Sequence, residues 1–180
     1  MGNRLFHTMN NCWKIEKIEN CLEENLYTNK IKSKYFLSSG IFPIISQEAE
    51  FINGFWNDEK DLFKIKNPVI LFGDHTKVLK YVDFDFVLGA DGVKILNPKK
   101  FLEPRFFYYF LKSVDLKNLG YARHYRLLKE IFCPFPNSLP EQHRIVKILD
   151  ETFANIAQAK ENAEKNLRNA QDLFESYLQS

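Results

Sequence analysis

No apolar run in this chain is long enough to cross a bilayer: the longest, Phe106 to Leu111, falls far short of the roughly 20 residues required. Met1 to Asn11 holds no apolar stretch of the kind that marks a secretory signal. Gly2 is not followed by Ser or Thr at position 6, which excludes the myristoylation pattern. Cysteine is scarce and odd in number: Cys12, Cys21 and Cys133 stand at wide spacings. A disulfide framework needs an even count and a zinc site needs close pairs, so reduced thiols in a reducing compartment are expected. The expectation is a soluble, cytoplasmic chain with no membrane contact.

Catalytic motifs are missing as well. There is no Gly-x-x-x-x-Gly-Lys phosphate loop, no Gly-x-Gly-x-x-Gly and no His-Glu-x-x-His. Gly-x-Ser-x-Gly is absent. Asn97-Pro98-Lys99-Lys100 lacks the second proline and the aromatic ring of an adenine-methyltransferase loop. Gly89-Ala90-Asp91-Gly92 matches the Gly-x-x-Gly of a KH domain, but without that domain's flanking helices it reads as strand–turn–strand. His7, His75, His124 and His143 form no metal-ligand pair in sequence. The chain is expected to be no enzyme, and neither a metal nor a cofactor is expected in it.

What is present falls into two textures that meet near Pro140. The 180 residues suit one domain with an appendage. Net charge is +2, yet residues 1–136 hold 20 basic and 16 acidic groups while residues 137–180 hold 5 and 7. The first part is mildly basic and suits a polyanion better than the second. It is dense in β-branched and aromatic residues. Ile41–Ser46, Phe51–Trp56, Val69–Phe72, Val78–Val82, Phe86–Leu88 and Val93–Leu96 read as strands, bounded by turn formers such as Asn53-Gly54 and Gly73-Asp74. Glu103 to Ser113 reads as a helix, with Pro104 where a first turn tolerates it. The expected fold is α+β.

From Pro140 onward there is no glycine and no further proline. Ser138 suits an N-cap. Val146, Leu149, Phe153, Ile156, Lys160, Ala163, Leu167, Ala170, Phe174 and Tyr177 follow strict 3–4 spacing, and all but Lys160 are apolar or aromatic. A neighbouring register adds Ile145, Thr152, Ala159 and Leu173. The pattern predicts a helix of roughly 38 residues, near 57 Å at about 1.5 Å per residue. Such a helix either packs on its own domain or seeks a helix from another molecule as a coiled-coil arm. The second reading is preferred, with Lys160 and, in the alternative register, Asn166 as polar register-setters and small Ala159, Ala163 and Ala170 allowing close approach.

Basic residues interleaved with aromatics are the candidates for binding. Arg123, His124, Tyr125 and Arg126, followed by Lys129, form one group: Arg pairs with guanine edges, His and Tyr bond bases or phosphates, and Lys attracts phosphate. The segment reads equally as a solvated loop with buried tyrosines. His75 and Lys77, in Gly73-Asp74-His75-Thr76-Lys77, form a second group, with an ordinary hairpin tip as the alternative. Lys30, Lys32 and Lys34 beside Tyr35 are a third, against a plain charged surface.

The run Leu139-Pro-Glu-Gln-His-Arg-Ile-Val-Lys-Ile-Leu-Asp150, followed by the heptad helix, resembles the junction in specificity subunits of type I restriction-modification systems. Trp13-Lys-Ile-Glu-Lys-Ile, Phe42-Pro-Ile-Ile, Val69-Ile-Leu-Phe-Gly73 and Phe106-Phe-Tyr-Tyr-Phe-Leu111 are similar to successive landmarks of that family's target recognition domain, and Gly120-Tyr-Ala-Arg123 to the segment before its last strands. The resemblance implies a globular mixed α/β recognition domain over residues 1–138 and a conserved-region helix over 139–180 that forms an antiparallel coiled coil. Family members usually carry two of each, so this chain looks like a half-subunit or a fragment. The implied function is to read half of a bipartite target on double-stranded DNA and present it to modification subunits, and to a restriction subunit where one joins. Those modification subunits would carry the S-adenosylmethionine and methylate adenine. Two copies pairing through the helix seam would make a homodimer. Competing expectations are a regulatory or scaffold fragment that pairs through its helix without reading DNA, a coiled-coil scaffold with a ligand- or protein-binding β domain, and a stand-alone methyltransferase or nuclease.

Overall fold

Among the described residues, the first part of the chain holds three small sheets, built mostly from pairings distant in sequence. The computed structural model describes residues 12–24, 28–90, 92–116 and 123–179. Two compact units are present, one ending at Gln142 and the other running from His143 to Ser180.

In the first unit, β1 (Trp13–Lys17) pairs antiparallel with β9 (Phe132–Pro136), Trp13 opposite Pro136 and Lys17 opposite Phe132. This strand pair brings residues 13–17 beside residues 132–136. Prolines are tolerated in β9 because the ribbon has only two strands, so an edge lacking amide donors is available. Cys133 and Phe135 are buried while Phe132 and Pro134 are exposed. Cys21 and Cys133 are buried free thiols, and Cys12 is an exposed one. A hydrogen bond with Cys21 and burial together push the Cys133 thiol up, which keeps it protonated and unreactive.

The second sheet has the order β3–β2–β7–β4, comprising β2 (Phe42–Ile45), β3 (Gly54–Trp56), β4 (Leu62–Phe63) and β7 (Phe86–Leu88). β2 and β7 run parallel, Ile44 opposite Val87 and Ile45 opposite Leu88. The third sheet, β6–β5–β8, is antiparallel: β5 (Val69–Gly73) lies between β6 (Leu79–Val82) and β8 (Val93–Leu96). Ile45, Val69, Leu71, Val82, Phe86, Leu88, Val93 and Ile95 form one buried cluster shared by these two sheets. Asp61 is buried but satisfied, its oxygens accepting from Asn29 Nδ2 at 2.9 Å and Trp56 Nε1 at 2.8 Å.

Most expected strands are found, with corrections. Phe51–Trp56 is a strand only from Gly54. The preceding loop is held by side-chain bonds that compete with a ladder: Asn53 Oδ1 accepts from the Ser46 amide at 2.7 Å and from Lys80 Nζ at 3.1 Å. Lys80 Nζ also donates to the carbonyls of Glu50 and Phe51. The strand–turn–strand reading of residues 89–92 holds in that β7 precedes and β8 follows them, though the two strands belong to different sheets; Asp91 lies outside the described residues. β1, β4 and β9 were not read as strands.

Helix α1 spans Pro104–Ser113, with the Glu103 carboxylate accepting from the Phe106 amide as its N-cap. It buries Phe106, Phe107 and Leu111, and Tyr108 lies 5.7 Å from Tyr81 of β6. Helix α2 is the short Tyr125–Lys129. Helix α3 spans Leu139–Leu178, slightly longer than the spacing predicted. Its first turn is seated by Gln142, whose side chain is fully buried. Nε2 donates to the Pro136 carbonyl at 2.8 Å and the Phe101 carbonyl at 2.9 Å, and Oε1 accepts from the Glu103 amide at 2.8 Å. The glutamine of the Pro-Glu-Gln run is therefore a lock between chain segments. The Ser138 carbonyl accepts from the amides of Glu141 and Gln142, starting the helix where Pro140 is expected.

Within the second unit the apolar line stands open to solvent. Phe153 is 49% exposed, Leu167 61% and Phe174 64%; Val146 is buried and Leu149 partly so. Lys160, in the middle of the line, pairs with Glu164 at 3.8 Å on the same helix. No helix among the described residues is long and apolar enough to cross a membrane.

Candidate nucleic-acid interface

Residues 74–77 join β5 to β6 in a loop closed at its base by Gly73 N donating to Val78 O at 2.9 Å. Lys77 N donates back to Gly73 O at 2.8 Å. Closing so tight a turn puts Lys77 at φ 59°, a left-handed conformation uncommon for lysine. Thr76 Oγ1 bonds the Gln47 carbonyl at 2.7 Å, and the His75 amide donates to Gln47 Oε1 at 3.4 Å. The loop after β2 therefore buttresses the turn. Gly92, at φ 79°, closes the third side: a Cβ there would lie 2.5 Å from Gln47 Oε1 and 2.9 Å from His75 Cδ2. Lys30 reaches the same place, its Nζ donating to Val93 O at 3.2 Å.

Helix α2 is fastened to this turn. The His124 amide donates to Asp74 O at 2.9 Å. His124 Nδ1 lies 3.0 Å from the same carbonyl; a carbonyl only accepts, so Nδ1 carries the hydrogen. Tyr125 N donates to Asp74 Oδ1 at 2.8 Å. The Tyr125 ring packs on Phe72, centroids 6.4 Å apart. Lys94 Nζ lies 5.5 Å and Lys129 Nζ 5.6 Å from the same ring.

Lys94 and Lys129 thus flank the Tyr125 ring, Lys77 stands on the adjoining turn, Lys30 bonds the first residue of β8, and Arg123 and Arg126 are close chain neighbours of Tyr125. Concentrated positive charge over an aromatic platform is the physical requirement for gripping a phosphate backbone. Arg123 and Arg126 are exposed. Lys77 Nζ is within 3.5 Å of Leu116 O. His124 is fully buried, which turns it inward to hold the segment rather than outward to meet a base. Lys32 and Lys34 are carried on a separate 3-10 turn, Ser33–Tyr35, where Lys34 Nζ lies 4.8 Å from the Tyr35 ring centre. Gly120, Tyr121 and Ala122 lie outside the described residues. Among the described residues no group of three or more His, Cys, Asp or Glu side chains is placed to hold a metal ion.

Lys94 and Asp74 were missed as site residues. Lys94 alternates with buried Val93 and Ile95 along β8, so a period-2 reading puts it on the opposite face; its nearness to Tyr125 needs the fold. Nothing in sequence distinguished Asp74 from an ordinary turn aspartate.

Known proteins define the class to which this arrangement belongs. Three solved structures share the fold. One, described as "Structural basis underlying complex assembly and conformational transition of the type I R-M system", superposes with a TM-score of 0.65 at 20% identity, over 82% of this chain and 40% of the other. The HsdS subunit from Thermoanaerobacter tengcongensis gives 0.60 at 18% identity, over 81% and 38%. The type I restriction-modification S subunit from M. genitalium gives 0.57 at 20% identity, over 83% and 42%. The sequence match is more particular. Residues 10–166 fit the type I restriction modification DNA specificity domain, and the chain belongs to that family. It is 30% identical over 155 residues to the type I restriction enzyme EcoR124I/EcoR124II specificity subunit of Escherichia coli, covering 78% of this chain and 37% of that protein. The chain spans about two-fifths of the length of these relatives.

Proposed function

We propose that this chain is the DNA-reading part of a type I specificity subunit. It recognises half of a bipartite target on double-stranded DNA and positions that DNA for adenine methylation or cleavage by partner subunits. The observation that carries the reading is the cluster of cations around Tyr125, on a domain of the specificity family. Residues 1–138 act as the target recognition domain. Arg123 and Arg126 are the base-reading candidates, with His75 and Tyr125 beside them, and His124 holds the segment from beneath. Lys77 and Lys94, together with Lys30, Lys32 and Lys34, contact phosphates. The chain supplies no catalysis; methyl transfer from S-adenosylmethionine belongs to modification subunits, and cleavage to a restriction subunit. The assembly works in the cytoplasm.

Residues 139–180 act as the spacing helix. The exposed apolar line from Leu149 to Tyr177 supports pairing with the same helix of a second copy, antiparallel and two-fold symmetric. Each half of such a dimer reads the same bases, so the target is an inverted repeat whose separation the helix length sets. Co-expression with modification subunits in a methylation-free host, with N6-methyladenine mapped along the genome, tests this. A split, inverted-repeat motif that vanishes without this chain is the expected result. No new methylation from a well-folded complex favours a regulatory or scaffold role.

A further inference from the structure

The turn and α2 come from parts of the chain far apart in sequence, and Asp74 bonds across from one to the other. Asp74 is 3% exposed, so it is not placed to touch DNA. Its amide donates to Gly92 O at 2.6 Å, and its carbonyl accepts from the His124 amide at 2.9 Å and from His124 Nδ1 at 3.0 Å. Its carboxylate oxygen Oδ1 accepts from the Tyr125 amide at 2.8 Å. Each bond ends on a segment that carries or supports a cation of the interface.

A helix of α2's length has too few internal bonds to hold itself in water. His124, its N-cap residue, makes no side-chain cap hydrogen bond, and the Tyr125 amide is taken up by Asp74 instead. The Asp74 carboxylate is thus one of the ties that fix the start of α2, between Arg123 and Arg126, relative to the turn that carries His75 and Lys77. Base reading by arginine is bidentate and angular, whereas phosphate attraction tolerates displacement. Loss of the tether should therefore harm discrimination far more than adhesion.

We infer that Asp74 is the positioning residue that locks the β5–β6 turn and α2 into one reading surface, so that it sets sequence discrimination without contacting DNA. The inference rests on the proposed recognition role, and its test separates the two. The 180-residue chain is selected against a random-sequence duplex pool, and affinity for the enriched duplex is compared with that for poly(dI-dC) over a salt series. Amide hydrogen exchange is followed on the free protein.

In Asp74→Ala, exchange at the Tyr125 amide should accelerate, because only that amide loses its acceptor, while β5 and β8 stay protected. The ratio of specific to non-specific affinity should fall about tenfold, with non-specific affinity and salt slope unchanged. Asp74→Asn keeps an oxygen acceptor at the same reach and should restore the ratio. If alanine fails to fold, Asp74→Ser, whose hydroxyl falls short of the Tyr125 amide, carries the same expectation. Unaltered exchange at Tyr125 overturns the tether. Faster exchange with an unchanged ratio, or an equal loss of specific and non-specific binding, overturns the positioning role. A wild-type chain that enriches no sequence overturns the recognition role itself, and the exchange result then stands separately.

Discussion

Lys94 of β8 holds its ammonium 5.5 Å from the centre of the Tyr125 ring, linking a sheet strand to the short helix that carries Arg126 and follows Arg123. Lys129 approaches the same ring at 5.6 Å. Exposed cation–π contacts contribute only about 0.5–1 kcal/mol each, so their main consequence is positional. They hold two positive charges beside Tyr125.

Lys94→Gln is therefore expected to weaken binding to all duplexes alike and to reduce the slope of log affinity against log salt by about 0.9, the share of one phosphate contact. Fluorescence anisotropy titrations across a salt series check this. A change in sequence preference with an unchanged slope would place Lys94 on a base instead.

Arg123→Ala carries the opposite expectation. If this exposed arginine reads a base edge, specific binding falls by about 1–3 kcal/mol and preference relaxes at one position of the half-site. Competition between single-base variants of the target measures it, and retained preference at every position would sink the assignment.

Lys77 occupies φ 59°, so the turn discriminates by backbone shape as well as by charge. Asparagine tolerates that region, whereas a β-branched residue does not. Lys77→Val should be less stable than Lys77→Asn by about 1–3 kcal/mol, read from urea midpoints. Both variants lose the cation, so they should weaken non-specific DNA binding equally once folded.

Burial lowers the Lys80 ammonium from its ordinary 10.5 to about 8. Between those values the unfolded chain binds a proton that the folded chain does not, so stability rises with pH across that window. Below about 8 both states are charged and the folded state carries the full desolvation cost. Unfolding titrations at closely spaced pH values should show the rise, and Lys80→Met should abolish it. That variant also removes the donors that hold the Glu50 and Phe51 carbonyls and Asn53, loosening the loop after β2.

The elements legible in sequence are those whose cause is local. Pro104 behind Glu103 fixed the start of α1, and the 3–4 apolar line foretold a long helix after Ser138. The β5–β6 turn was visible as Gly73 followed by polar residues between apolar runs. The candidate site was legible as separate pieces: Arg123 to Arg126, His75 with Lys77, and Lys30. Their union was not, because it depends on pairings such as Gly73 opposite Val93 and Phe72 opposite Lys94, and these have no signature in periodicity.

The sequence by itself determined the α+β character, the long exposed helix and the family, since side-chain spacing and a contiguous motif survive without knowledge of contacts. Only the tertiary structure decided that β1 closes on β9, that β2 runs parallel to β7, and that buried His124 faces inward. It also decided that Lys94 comes beside Tyr125 and that Asp74 bonds the start of α2. The physical reason is common to all of these. Strand register and the burial of a polar group depend on which distant backbone atoms are free to pair, and Asp74 meets His124 and Tyr125 across 50 and 51 residues of sequence.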